Sequence, residues 1–174
     1  MKAVVVFESM FGNTRRLAEA VGKGLAETAE VRVVPVSRAN SRLVDDADLV
    51  VVGGPTHIHG MSRPSTRKAA VDQAAKQPAT VLDPDARAAG LDDWFAALGH
   101  LEARAAAFDT RAKAPAILTG RASKGIDRQL RRHGLRPVVD PESFLVDKAN
   151  HLQPGEEDRA REWGQRLGRS TEAS

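Results

Sequence analysis

The sequence predicts an α/β fold, a three-layer α/β/α sandwich around a five-stranded parallel sheet. Three observations carry this expectation. Short apolar runs alternate along the chain with longer stretches whose apolar residues recur at helical spacing. The first run, Val4-Val5-Val6, is continuous and β-branched, as in a strand buried on both faces. Runs one and three end in small, glycine-containing loops, Ser9 to Thr14 and Gly53-Gly54-Pro55, where an α/β sheet hands its chain to the next element.

The elements follow in order. Lys2 to Phe7 is the first strand, and Asn13 to Thr28 a helix with Leu17, Ala18, Val21 and Leu25 on one face. Gly22 and Gly24 weaken that helix and permit close packing against the sheet. Val31 to Val36 is the second strand. Ser37 to Asp46 is a polar connection with one helical turn near Leu43-Val44, and Leu49 to Val52 is the third strand. Pro64 to Lys76 reads as a helix with proline in its first turn. Gln77 to Gly90 carries Pro78 and Pro84 and reads as a loop. Leu91, Trp94, Phe95, Leu98 and Leu101 then repeat at helical spacing. Arg104 to Phe108 is the fourth strand, and Ser123 to His133 a helix stopped by Gly134. Arg136 to Val139, continued through Phe144-Leu145-Val146, is the fifth strand. Pro154 to Leu167 is the last helix. The expectation is one domain over residues 1–168 with a frayed tail at 169–174.

The chain has 174 residues, 41% apolar and 28% charged, enough for a core of its own. It has no cysteine, which excludes disulfides, thiolate metal sites and a cysteine nucleophile. No apolar stretch reaches membrane-spanning length, so no membrane insertion is expected. The opening residues lack a signal-peptide pattern, and the reading is cytoplasmic. The net charge is +3, but aromatics are 4% and tyrosine is absent, so nucleic acid is not expected as a partner. One basic concentration stands out at Arg121, Lys124, Arg128, Arg131, Arg132 and Arg136. It reads as the solvated face of a helix.

The loop after the first strand carries the chemistry. Ser9-Met10-Phe11-Gly12-Asn13-Thr14 lies between a strand end and a helix start. Helix N-termini leave amides unpaired and carry partial positive charge, so a phosphate placed there meets ready donors. Ser9 and Thr14 add hydroxyls and Asn13 an amide, while Gly12 admits close backbone approach. The pattern is neither the Walker loop nor G-x-G-x-x-G, which disfavours triphosphate hydrolysis and dinucleotide binding. A single terminal phosphate, held without a lysine in the loop, remains. An ordinary helix cap with nothing bound is the alternative.

These residues resemble the phosphate loop of the flavodoxins. Gly53-Gly54-Pro55-Thr56-His57 is similar to the family's first flavin loop, and Phe108-Asp109-Thr110-Arg111 takes the place of its second. The resemblance implies the strand order 2-1-3-4-5 and FMN as cofactor. It implies that Ser9, Met10, Phe11, Gly12, Asn13 and Thr14 hold the phosphate. Pro55, Thr56, His57 and Ile58 would flank the ring with Phe108, Asp109, Thr110 and Arg111. It further implies electron transfer, or a small flavin-dependent reductase, with a redox partner protein or a quinone-like molecule at the other end. No side chain is assigned as catalytic.

The chain departs from flavodoxins in three respects. It is basic, it has no tyrosine, and neither flavin loop carries tryptophan. Trp94 and Trp163 sit at core-facing helical positions, which leaves His57, Met61 and Phe108 as candidate ring contacts. Arg111, if aimed at the flavin's pyrimidine end, would stabilise the negative charge that builds up on reduction. The missing stackers favour a second reading, a flavodoxin-fold binding module that has lost FMN. The segment from Gly60 to Gly90 is longer than a compact flavodoxin connection and would cover the ring, form a dimer contact or wander. His57-Ile58-His59 places two imidazoles at alternate positions, but no carboxylate completes a metal set. Ser9 lacks the G-x-S-x-G of a nucleophile elbow.

Overall fold

A computed structural model describes residues 1–57, 60–77 and 79–172. Its strands are β1 (Lys2–Phe7), β2 (Glu30–Pro35), β3 (Leu49–Pro55), β4 (Arg104–Ala112), β5 (Arg136–Pro137) and β6 (Glu142–Val146). Its helices are α1 (Asn13–Leu25), α2 (Ser41–Asp45), α3 (Pro64–Ala75), α4 (Leu91–Ala97), α5 (Ala116–Thr119), α6 (Ala122–Arg132) and α7 (Glu156–Glu172).

The sheet is parallel throughout, in the order β2-β1-β3-β4-β5, with β6 also paired to β4. Val5 lies between Val33 and Val51, and Val51 between Val5 and Ala106. Alternate residues feed opposite cores, as the pleat dictates. Val4, Val6, Val50 and Val52 pack with Trp94, Phe95, Ile126 and Leu130 from α4 and α6. Val5, Phe7, Leu49 and Val51 pack with Leu17, Val21 and Leu25 of α1 and Trp163 and Leu167 of α7. Both tryptophans are core residues; the indole N–H of Trp94 donates to the Ala39 carbonyl at 2.8 Å.

The expected fifth strand is broken in two. Ala105 pairs with Pro137 and Phe108 with Glu142, so β5–β6 carries two more residues than β4 over the same interval. Pro137 and Pro141 have no N–H to give a ladder, and the chain leaves the sheet between them. α1 stops at Leu25, earlier than the expected Thr28, and the four-residue α5 has no counterpart in the sequence reading.

The expected fray from residue 169 is corrected over the described residues 169–172. α7 runs through Glu172, Thr171 is buried, and the Thr171 carbonyl accepts from Arg104. α7 lies directly on α1. A Cβ on Gly24 would stand 2.0 Å from the Arg161 carbonyl oxygen, and one on Gly164 would stand 2.3 Å from that of Val21. Gly24 therefore serves contact with a helix rather than with the sheet, whereas Gly22 does face Val33 of β2.

Candidate functional site

β1 ends at Phe7, and the chain turns through Ser9 to Gly12 into α1. Gly12 has φ +89°, a left-handed conformation that strains any residue with a Cβ. Its amide donates to the Ser9 hydroxyl at 3.1 Å, closing the turn. No side chain caps α1. The amides of Asn13, Thr14 and Arg15 donate to no protein acceptor among the described residues. Three unpartnered donors thus stand at the positive end of a helix whose Asn13 and Thr14 line a cavity of about 690 Å³ at the carboxyl ends of β1, β3 and β4.

The polar side chains of the loop are engaged by protein. The Asn13 side-chain Nδ2 donates to the Asn150 carbonyl at 2.7 Å and to the Asn150 side-chain oxygen at 3.3 Å. Thr14 and Thr110 share a hydroxyl–hydroxyl bond of 3.2 Å, which ties α1 to β4. The Asp83 amide donates to the Met10 carbonyl at 2.8 Å, and Arg15 grips the Asp83 carboxylate at 2.8 and 2.6 Å. Burial alone would raise the Asp83 pKa, but Arg15, its own turn amides and Ser9 outweigh it and hold the group below its ordinary value. Arg15 reaches Asp85 as well and lies over the Phe7 ring, so its charge is spent within the protein. The loop is stapled from outside by the segment that follows α3.

Of the residues named from the sequence, Ser9, Met10, Phe11, Asn13 and Thr14 line the cavity, and Gly12 sets the turn. Pro55, Thr56, His57, Thr110 and Arg111 line it as well. Ile58 and His59 lie outside the described residues. Phe108 and Asp109 are placed elsewhere, which corrects the expectation for both. The Phe108 ring is fully buried edge-on to Phe144 and Trp163, at 6.0 Å from each. It occupies the space a Cβ on Gly53 would need, so Gly53 of the Gly-Gly-Pro-Thr motif serves packing. Asp109 points to the other side of the sheet and accepts from the Ser123 amide at 2.7 Å, while Thr56 accepts from Ala122 at 3.0 Å. Together they cap α6. Burial pushes the Asp109 carboxyl up, and its second oxygen has no partner among the described residues. Met61 faces Gly125 of α6 and lies outside this cavity.

Arg111 lines the cavity, with one guanidinium nitrogen donating to the Ala114 carbonyl at 2.7 Å. Its Nε is buried without a partner among the described residues. His57 is fixed by reciprocal backbone bonds with Gly60 of 2.8 and 3.0 Å. Burial, helped by the Arg67 charge, lowers the His57 pKa, so the imidazole is neutral at neutral pH. Arg67 is itself buried, bonded to Ser62 and to Asp92 and Asp93 at the start of α4. Burial raises the pKa of Glu8, whose carboxylate accepts from Ser62 and from the Leu91 amide at 2.8 Å. This network locks the end of β1 to the Gly60–Gly90 segment, whose α3 forms a cavity wall through Ser65, Thr66, Ala69, Ala70 and Gln73.

Two further parts complete the wall. One is α3, expected as a helix within a segment whose role the sequence left open between covering the ring, forming a dimer contact and wandering. The other is Val146 to Asn150, where Asp147 accepts from the amides of Ala149 and His151 at 2.8 and 2.9 Å in an Asx turn. Lys148 stands in that turn, lines the cavity and has no ion pair among the described residues. The turn-forming run Asp147-Lys148-Ala149-Asn150 after the last strand was the available signal.

A family model for flavodoxin matches residues 5–99. Among solved structures, a flavodoxin from the domain Archaea superposes with a TM-score of 0.66 at 20% identity, covering 99% of each chain. Oxidised flavodoxin 1 from Bacillus cereus gives 0.63 at 21% identity, covering 99% of this chain and 98% of that one. The flavodoxin of Streptococcus pneumonia TIGR4 gives 0.65 at 17% identity, covering 97% and 99%. No curated protein matches.

Proposed function

Because this chain belongs to the flavodoxin family, we propose that it binds FMN in the cavity above β1, β3 and β4 and serves electron transfer. The observation that carries the reading is the set of three unpartnered amides, Asn13 to Arg15, at the head of α1. They suit a phosphate dianion, and Lys148 adds the one uncommitted cation at that end of the cavity among the described residues. Pro55, Thr56, His57 and Ala69–Ala70 supply walls for a flat ring, and the orphan Nε of Arg111 supplies a donor for one of its polar atoms. A cavity of this size suits one cofactor. Bound FMN accepts and returns one or two electrons; the protein holds the phosphate, orients the ring and sets the charge around it. A quinone-type acceptor is one outlet for those electrons and a protein partner the other.

The test is a titration of the purified chain with FMN and with riboflavin, read by flavin fluorescence. FMN quenches and binds more tightly than riboflavin if the α1 amides hold a phosphate. Equal affinity, or none, overturns the reading.

One observation favours a flavin-free binding module. Phe11 is the only phenylalanine, tyrosine or tryptophan among the described residues lining the cavity. Absence of any flavin binding at high concentration selects that alternative.

A further inference from the structure

A second groove, of about 1010 Å³, runs beside the first and shares His57, Ser65 and Thr66 with it. One wall is α6, which presents Lys124, Arg128 and Arg132 at i, i+4 and i+8, a row about 12 Å long. None of these three has an ion pair or side-chain hydrogen bond among the described residues. Arg63 and Arg121 add to the lining, and Arg121 is held by neutral acceptors, the Ser143 hydroxyl and the Pro141 carbonyl. The one acidic lining residue among the described residues, Asp92, is already bonded to Arg67. Asp127 of α6 pairs with Arg131 instead.

The row is kept against the preferences of the helix. Like charges four residues apart repel. Lys124 stands in the first turn, where the helix dipole favours an anion. An anion from outside the chain would relieve both. Next to the row lie two exposed large apolar residues of α5, Ile117 at 88% and Leu118 at 64%, and Ile117 lines the groove.

We propose that this groove docks the acidic face of a partner protein; that the partner is a redox protein rests on the flavin reading above. Unpaired cations steer and orient a weak encounter, and an exposed apolar pair beside them gives it a desolvated contact. Transient redox contacts are of this small kind. A nucleotide is the poorer occupant. The α6 amides of Ala122 and Ser123, which would cradle a phosphate, are consumed by Thr56 and Asp109. No phenylalanine, tyrosine or tryptophan lines the groove among the described residues to stack a base.

The probe is a plant-type [2Fe–2S] ferredoxin, an acidic redox protein, measured by interferometry against the chain with and without FMN. Binding is expected in both forms and is expected to weaken about 10-fold or more between low and physiological salt. The triple variant Lys124→Gln/Arg128→Gln/Arg132→Gln should lose about 10-fold in affinity and most of the salt dependence. Ile117→Ser/Leu118→Ser should weaken binding while keeping the salt dependence. Circular dichroism confirms that each variant folds, and its FMN affinity, measured separately, should match the parent. Ferredoxin binding without FMN binding sinks the cofactor reading alone. FMN binding without ferredoxin binding, or ferredoxin binding indifferent to the triple variant, overturns the docking surface. Tighter, row-dependent binding of NADP⁺ or duplex DNA, with ferredoxin unable to compete, also overturns it.

Discussion

Arg15 holds Asp83 through two hydrogen bonds of 2.8 and 2.6 Å, so the first residues of α1 are pinned by a carboxylate 68 positions later. The Asp83 side chain is 1% exposed, and that of Arg15 is 28% exposed. Asp83→Asn keeps the shape and removes the charge. It is expected to cost about 1–3 kcal/mol, because Arg15 retains Asp85 while a charge-assisted bond is lost. The folded pKa of Asp83 lies below its ordinary 3.8, so the stabilisation is complete above that value and is lost as pH falls through the folded one. Urea melts between pH 5 and pH 2 should converge for the two proteins in acid. Parallel curves would assign no charge linkage to this pair.

Glu8 works in the opposite sense. Burial raises its folded pKa above the ordinary 4.5, so its contribution is most favourable below 4.5 and is lost as pH rises through the folded value. Glu8→Gln keeps an acceptor for the Leu91 amide and a partner for Ser62. The stability of Glu8→Gln relative to the parent should therefore improve as pH rises from 4 to 8. A difference that stays flat would show that Arg67 and the hydrogen bonds fully offset burial.

Lys148→Gln should weaken FMN by about 1–2 kcal/mol, roughly 5- to 30-fold, and leave riboflavin unchanged. An equal loss for both ligands would place the ammonium away from the phosphate. Asn13→Ala releases the Asn150 contact and should reduce protection of the 147–151 amides in hydrogen exchange.

Arg111→Gln removes a full positive charge from the cavity wall. The two-electron midpoint potential of bound FMN should fall by about 30 mV, the equivalent of ~1.4 kcal/mol. An unchanged potential with unchanged affinity would confine Arg111 to bracing the Ala112–Ala114 turn.

The parallel sheet was legible because Val4–Val6, Val31–Val36 and Leu49–Val52 read as strands separated by helical patterns, whereas its strand order came only from the resemblance of the loops to those of flavodoxins. The candidate loop was legible because Ser9–Thr14 lies between an apolar run and a helical pattern; the left-handed φ of Gly12 is what the structure adds. Phe108 and Asp109 were misplaced for a physical reason. β4 is buried on both faces from Ala105 to Thr110, so alternation of polarity cannot say which side each residue takes. Lys148 was missed, and the role of the Gly60–Gly90 segment was left open, because both reach the cavity only through tertiary placement. The basic row of α6 was visible as charge, but which cations lacked partners was not.

The contact of α7 with α1 through Gly24 and Gly164 has a consequence for biogenesis. The Ser9–Thr14 loop is synthesised before its supports: the helix packed on α1 and the Asn150 turn beside it are made more than a hundred residues later. A nascent chain halted before Glu156 would display the loop at the head of an α1 that lacks the helix packed against it. A stalled-ribosome series should therefore acquire the capacity to load a ligand onto those amides only when α7 has cleared the exit tunnel.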